Sequence, residues 1–350
     1  MKKLLALLSV LLAAPLAFAI TAYSPPVGGA QITIAPGTQF VGMPLANQAV
    51  AYGLVSGNTS TVLTLNNASN NVGALLSAST TYYVELTAGP DSLFVGDRFE
   101  VDVATTIANA NNTLAIVAGS NANTLSSLPT GSLLNGYTVT VRPHVTLGQL
   151  FGTFSNQLMH GATVTSAADQ VLFFNSQSQA FQTYYFLRNA SGTVAQWTLV
   201  GGGSTNRDST TIPPGVGVGV IRNTSGSVTL TWMGEVRRNA FVMPLVVGYN
   251  LVSQPLPINS TPVQNLLTYA NGFTGATVAS SADQIEVFTS GAFQTYYLLR
   301  NASGSIEQWT LIGGGSTNHN NTTLLNGFGS VLLKRTTPAP DYTVPYNLSL

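Results

Sequence analysis

The sequence predicts an all-β protein built from tandem β-sandwich or small-barrel modules with a few short helices. The prediction rests on an internal repeat, on short runs that alternate with a period of two, and on the Gly, Asn and Ser clusters between them. Residues 180–206 read AFQTYYFLRNASGTVAQWTLVGGGSTN and residues 292–318 read AFQTYYLLRNASGSIEQWTLIGGGSTN, with 22 of 27 positions identical. Such self-similarity belongs to a chain assembled from copies of one unit rather than around one catalytic centre. The runs TVLTL (61–65), YYVEL (82–86), FEVDV (99–103), YTVTV (137–141) and SVTLTW (227–232) are rich in β-branched or aromatic residues, as strands are. Stretches such as SGN and NASG carry the chemistry of turns.

At the N-terminus, Lys2 and Lys3 precede an apolar run from Leu4 to Leu16, and Ala17-Phe18-Ala19 is a small-x-small site. This pattern predicts a signal peptide over residues 1–19, cut after Ala19, and an exported protein of a bacterium. No later stretch is long and apolar enough for a transmembrane helix after cleavage. Without Lys2 and Lys3 the chain has ten basic and twelve acidic residues, a formal charge of −2. That balance offers no basic patch for nucleic acid. Charged residues make up only 7% of the chain, so Asn, Ser, Thr and Gln must provide the polar surface. The absence of cysteine excludes disulfides, thiol catalysis and thiolate metal sites.

The repeat extends beyond its best block. GATVTSAADQ (161–170) aligns with GATVASSADQ (275–284), and NSQSQ (175–179) is matched by TSG (289–291), as expected of a hairpin loop of variable length. Downstream, Gly215–Arg222 aligns with Gly327–Lys334. A Gly followed seven residues later by Pro occurs at Gly37/Pro44, Gly136/Pro143 and Gly248/Pro255, and Thr-Tyr-Tyr occurs at 81–83, 183–185 and 295–297. These markers suggest modules starting near 37, 136 and 248. The expected division is a signal peptide at 1–19, an N-terminal β-domain at 20–135, a β repeat module at 136–247 and a homologous module at 248–350. Short helices are expected at Leu147–Phe151 and Val263–Tyr269, with Thr146 and Thr261 as N-caps. The tail from Tyr342 is expected to close the last module as FVMPL (241–245) closes the one before it.

Residues of chemical interest are sparse. His144, His160 and His319 share no ligand spacing. Asp169 and Asp283 occupy equivalent turns, where an Asp accepts backbone N–H bonds. Arg188 and Arg300 are placed to stack on Tyr184/Tyr296 or to pair with those aspartates. GGGSTN lacks the Gly-Lys-Ser/Thr ending of a phosphate loop and reads as a tight turn or a polar recognition loop. Trp197 and Trp309 are expected to anchor each module's core. With Tyr184 and Tyr296 they also form the candidate ligand-binding set, since Tyr, Trp, Asn and Arg are the residues of sugar-binding faces. A hydrolase would need a paired nucleophile and base or facing carboxylates; one Asp per module does not suggest that pair, though Glu286 could be a second acid in the last module. No metal or cofactor is expected.

Four elements carry a resemblance: GTQFVGMPL (37–45), TYYVELTAG (81–89) followed by GDRFEVDV (96–103), TLGQLFG (146–152), and GYNLVSQPLP (248–257) with its later ADQ, TYY and Trp. As a set they are similar to an uncharacterised family of secreted, repeat-containing β proteins found mainly in verrucomicrobial bacteria. The similarity covers nearly the whole mature chain. It implies export and architecture, and no catalytic residues.

The expected role is a non-enzymatic structural or adhesive protein of the cell envelope. Its expected partners are further copies of itself, other envelope components or polysaccharide. The alternative is an extracellular carbohydrate-binding protein. Mass spectrometry of the exported protein is expected to find its N-terminus at Ile20; a chain still carrying residues 1–19 contradicts the signal reading.

Overall fold

Period-two alternation becomes strand at four of the five runs, in Val62–Asn66, Tyr82–Ala88, Thr138–Pro143 and Val228–Val236. These strands belong to a computed structural model that describes residues 26–66, 71–120, 124–338 and 341–346. The expected signal segment lies outside the described residues. The fifth run divides. Arg98–Glu100 is strand, but Asp102 accepts the Thr105 N–H at 3.1 Å and starts a helix, Val103–Asn109, that ends at Ala110 with φ +48°. An N-cap inside an alternating run thus overrides the alternation. Thr146 caps the helix Leu147–Phe151 as expected, accepting from Gln149 N at 3.2 Å. The second expected helix does not form. Thr261 and Gln264 make the reciprocal bonds of a capping box, but Leu266 turns left-handed at φ +56° and only a short 3-10 turn, Tyr269–Asn271, follows.

The fold is all-β, and among the described residues every pairing between strands is antiparallel, with two isolated parallel bridges, Ala162–Leu187 and Ala276–Leu299. The two long repeats have the same sheet. In the middle sheet the order is Ala195–Leu199, Ala180–Arg188, Gln170–Asn175, Val218–Arg222, Gly37–Val41. In the C-terminal sheet it is Glu307–Leu311, Ala292–Arg300, Gln284–Thr289, Ser330–Arg335, Gly248–Ser253. Gly37 faces Arg222 and Gly248 faces Arg335, so the Gly-to-Pro markers at 37 and 248 open equivalent strands. Both glycines sit at positive φ, +94° and +95°, where a side chain would be strained. The hairpin loops differ as the alignment requires: four residues separate Asn175 from Ala180, and two separate Thr289 from Ala292. In the shorter loop Ser290 and Gly291 both have positive φ, the geometry of a tight two-residue hairpin.

The third marker behaves differently. Thr138–Pro143 lies inside a six-stranded sheet with Ala51–Asn58, Tyr82–Ala88, Val62–Asn66, Arg98–Glu100 and Thr113–Ala115. This sheet curls until its end strands meet, where Val101 bridges Ile116, Asp102 N donates to Ala115 O at 2.8 Å and Val117 N donates to Glu100 O at 2.9 Å. Its core, with Val84, Leu86, Phe99, Tyr137 and Val141, draws only on residues 51–141.

The cores therefore divide the chain differently from the sequence boundaries at 135 and 247. One core unites Ala30 to Leu45 with Val145 to Trp232, so the middle repeat is discontinuous and the curled sheet is inserted into it. The last core runs from Phe241 to Val344. A second small sheet is repeated as well. Ala30, Gln31 and Ile32 face Trp232, Thr231 and Leu230, while Phe241, Val242 and Met243 face Val344, Thr343 and Tyr342. The tail strand thus pairs with FVM itself and corresponds to Leu230–Trp232.

The two repeats contact each other reciprocally. Gly42 N donates to Phe328 O at 2.9 Å, and the equivalent Ser253 N donates to Gly215 O at 2.9 Å. The bridge Val41–Gly329 matches Val252–Val216. This is the self-complementary pattern of a two-fold dimer, here within one chain. Phe40 packs beside it, with ring centroids 5.2 Å from Phe288 and 5.3 Å from Phe293. A Cβ on Gly217 would lie 2.2 Å from the Ser330 Cβ. Gly217→Val is expected to lower stability by about 1–3 kcal/mol through overpacking. Gly226→Ala, at a site with nothing within 4 Å, is expected to stay within about 0.5 kcal/mol of the parent. Urea denaturation midpoints check both.

Candidate functional site

The candidate ligand set from the sequence lies in the cores. Trp197 and Trp309 are fully buried, and Tyr184 and Tyr296 nearly so. Each indole N–H is used internally: Trp197 Nε1 donates to Gly152 O at 3.0 Å and Trp309 Nε1 to Leu267 O at 2.8 Å. These residues anchor the modules and present no binding face. Period-two pairing explains it, since Trp197 sits opposite Phe186 and Trp309 opposite Leu298, all facing inward.

GGGSTN is a turn that folds back on the edge strand before it. Gly202 N donates to Leu199 O at 2.8 Å and Gly314 N to Leu311 O at 2.9 Å. The outward amide of Trp197 is taken by Asp208 Oδ1 and that of Trp309 by Asn320 Oδ1, both at 2.8 Å. Their carbonyls accept from Arg207 N and His319 N, again at 2.8 Å. The residues that follow each glycine-rich turn, Arg207 and Asp208 in one copy and His319 and Asn320 in the other, thus protect an edge that would otherwise offer itself to another strand.

Asp169 and Asp283 are fully buried and bond over long range rather than within an Asx-turn. Asp169 accepts from His160 N and Asn223 N, both at 2.8 Å, and from Arg222 Nη1 at 2.7 Å. Asp283 accepts from Thr274 N at 2.8 Å and Thr336 N at 2.7 Å, and pairs with Arg335 Nε at 3.1 Å. The partners are Arg222 and Arg335, not Arg188 and Arg300. The equivalence Arg222/Arg335 also shifts the alignment of this strand by one residue from Lys334. Arg188 is exposed, and Arg300 lies 3.7 Å over the Tyr269 ring. Among the histidines, His144 lies 2.7 Å from Glu100, His160 is exposed, and His319 contacts Thr322 Oγ1 at 3.1 Å.

The notable chemistry of the described residues is elsewhere, where the outer face of the curled sheet meets the segment after Val228–Val236. Thr140 stands between Tyr52 and Glu85 on neighbouring strands, and Arg142 follows two residues on, so all four share one face. Glu235, Arg237 and Asn239 close over them. Arg142 pairs with Glu235, and Arg237 pairs with Glu85. Asn239 Nδ2 donates to Glu85 Oε1 at 2.9 Å, and Ala49 N donates to Glu235 Oε1 at 3.1 Å. All four charged side chains are buried, yet they border an open cleft of about 150 Å³ with Tyr52, Thr87 and Thr140. Burial, then the negative charge of Glu235, raises the Tyr52 phenol above its ordinary value. The sequence held one signal of this cleft that its alternation concealed: YYVEL, TVTVR and MGEVRR place charges within apolar strand runs of a charge-poor chain. No protein family, no curated protein and no solved structure matches the chain.

Beside the cleft, Arg98 lies 3.8 Å and Arg237 4.5 Å over the Phe241 ring. Neighbouring Asp97 is raised to about 6, by burial first and with a contribution from Asp341.

Two predictions follow from these buried charges. Asp169→Ala and Asp283→Ala are each expected to cost about 3–5 kcal/mol, because each strands a buried guanidinium; denaturant titration measures the loss. Asp97 keeps its proton in the fold to a higher pH than in the unfolded chain, so its contribution is full below its unfolded value of 3.8 and is lost as pH rises through about 6. Asp97→Asn is expected to flatten the decline in stability between pH 4 and pH 6.5, by up to about 3 kcal/mol. An unchanged pH profile contradicts this assignment.

Proposed function

We propose that this protein is an exported, non-enzymatic structural or adhesive component of a bacterial cell envelope. The observation that carries the reading is the weave of the chain. The middle repeat opens with Gly37–Val41, makes the inserted curled sheet, and completes its own sheet only after residue 145. The last repeat then bonds back to it through Gly42 and Ser253. Separating the two repeats therefore breaks backbone pairing between them, and the curled sheet, whose strands pair only with one another, is flanked in the chain by strands of the middle repeat. Such a build suits a rigid spacer or contact module better than a mobile catalytic scaffold. The paired internal charges fit as well, since they leave a largely uncharged outer surface.

Strand addition at Ala195–Leu199 and Glu307–Leu311 is disfavoured, because the outward groups of Trp197 and Trp309 are taken by Arg207 and Asp208 and by His319 and Asn320. Contacts with other envelope components run instead through faces and clefts. Fractionation of the native cells tests the reading: the protein is expected in the envelope fraction or in sheared surface material. Protein found only as a soluble monomer in periplasm or medium contradicts it.

A further inference from the structure

We propose that the cleft between the curled sheet and Glu235–Asn239 holds one neutral sugar residue of a polysaccharide, contacting Tyr52, Thr140, Arg142 and Asn239. This deepens the adhesive reading and rests on it only for the biological setting. Three observations carry the assignment. The first is an unmet hydrogen bond. Thr140 is 5% exposed, and its Oγ1 is buried and makes no hydrogen bond among the described residues. A buried hydroxyl without a partner at the wall of an open cleft calls for a ligand or ordered water to complete it.

The second is charge. Each carboxylate in the cleft already faces a guanidinium, Glu85 with Arg237 and Glu235 with Arg142. A metal cation would have to take a carboxylate from one of these buried pairs, which costs several kcal/mol, and would meet a third arginine, Arg238, at the cleft wall. A neutral polyhydroxylated ring takes no carboxylate from its pair. Its hydroxyls donate to carboxylate lone pairs and to Asn239 Oδ1, whose own Nδ2 hydrogens go to Glu85 Oε1 and Ala240 O, and accept from guanidinium N–H groups that a single ion pair leaves unused. The third is shape. The opening of about 150 Å³ far exceeds the ~10–15 Å³ that one water needs. Tyr52 is 47% exposed at its wall and offers an apolar ring face beside its polar tip, the combination that suits the C–H face and hydroxyl rim of a pyranose. The ion pairs and the sheet row fix these groups in place before any ligand arrives, which reduces the ordering cost of binding.

The experiment is saturation-transfer NMR and calorimetric titration of the mature protein. The probes are glucose, galactose, mannose, xylose, N-acetylglucosamine and their α-1,4- and β-1,4-linked dimers. The expected result is saturable binding of at least one probe, weakened at least tenfold by Tyr52→Ala and at least threefold by Thr140→Val. Circular dichroism and denaturation confirm that both variants fold; Tyr52 is exposed enough for its truncation to be tolerated. Absence of binding to every probe overturns the inference, as does binding that neither variant changes. Thr140→Val raising stability while the wild type binds no probe marks the cleft as a hydration pocket and also overturns it. The two readings separate cleanly. Envelope localisation without sugar binding leaves the structural role standing, and sugar binding by a freely soluble protein leaves this inference standing alone.

Discussion

The reciprocal strand contact between the two repeats is the constraint on which the remaining structure depends. Gly42 N–H to Phe328 O and Ser253 N–H to Gly215 O are the same bond made twice, once in each direction. Such a contact requires both partners to have the same backbone geometry, so it ties the conformation of one repeat to that of the other. It requires small residues where the backbones approach, and Gly217 opposite Ser330 meets that need. It also fixes the position of Phe40, which bridges to the hairpin of the last repeat. The curled sheet enters between Ala46 and Val145, between strands that this arrangement already holds.

Within that frame the few charges of the chain are used internally. Each repeat carries one fully buried aspartate bonded to two backbone amides and one arginine. These aspartates join the start of one strand to the end of its neighbour, and they close the sheet where the chain turns away. The junction with the curled sheet carries two further pairs, Arg142–Glu235 and Arg237–Glu85. Buried ion pairs are weak evidence of net stability, but they demand specific geometry. Here they orient the inserted sheet on the middle repeat, and in doing so they line a polar cleft.

Much of the fold was legible in the sequence. Four of the five alternating runs and the hairpin-length difference stand in the structure, and the two similar blocks form sheets of the same strand order, because these signals report local periodicity and turn chemistry. The discontinuity of the middle repeat was not legible from those signals. GTQFVGMP and GYTVTVRP share a pattern, yet one strand joins the middle sheet and the other the curled sheet, since only long-range pairing decides between them. The Asp–Arg pairs were half legible: the aspartates stood out, but the alignment pointed to Lys334 and the eye to Arg188 and Arg300. The candidate site was misread for a simpler reason. Tyr and Trp are equally at home in a core and on a sugar-binding face, and period two placed them in the core. The cleft drew its residues from four distant segments, which no local pattern connects.

Native-state hydrogen exchange at Gly42 and Ser253 tests the central claim most directly. If the two repeats are locked by a reciprocal contact, both amides exchange only on global unfolding, with equal and high protection. Fast exchange at either amide, or protection at one without the other, contradicts an interlocked pair and leaves two repeats that merely follow one another along the chain.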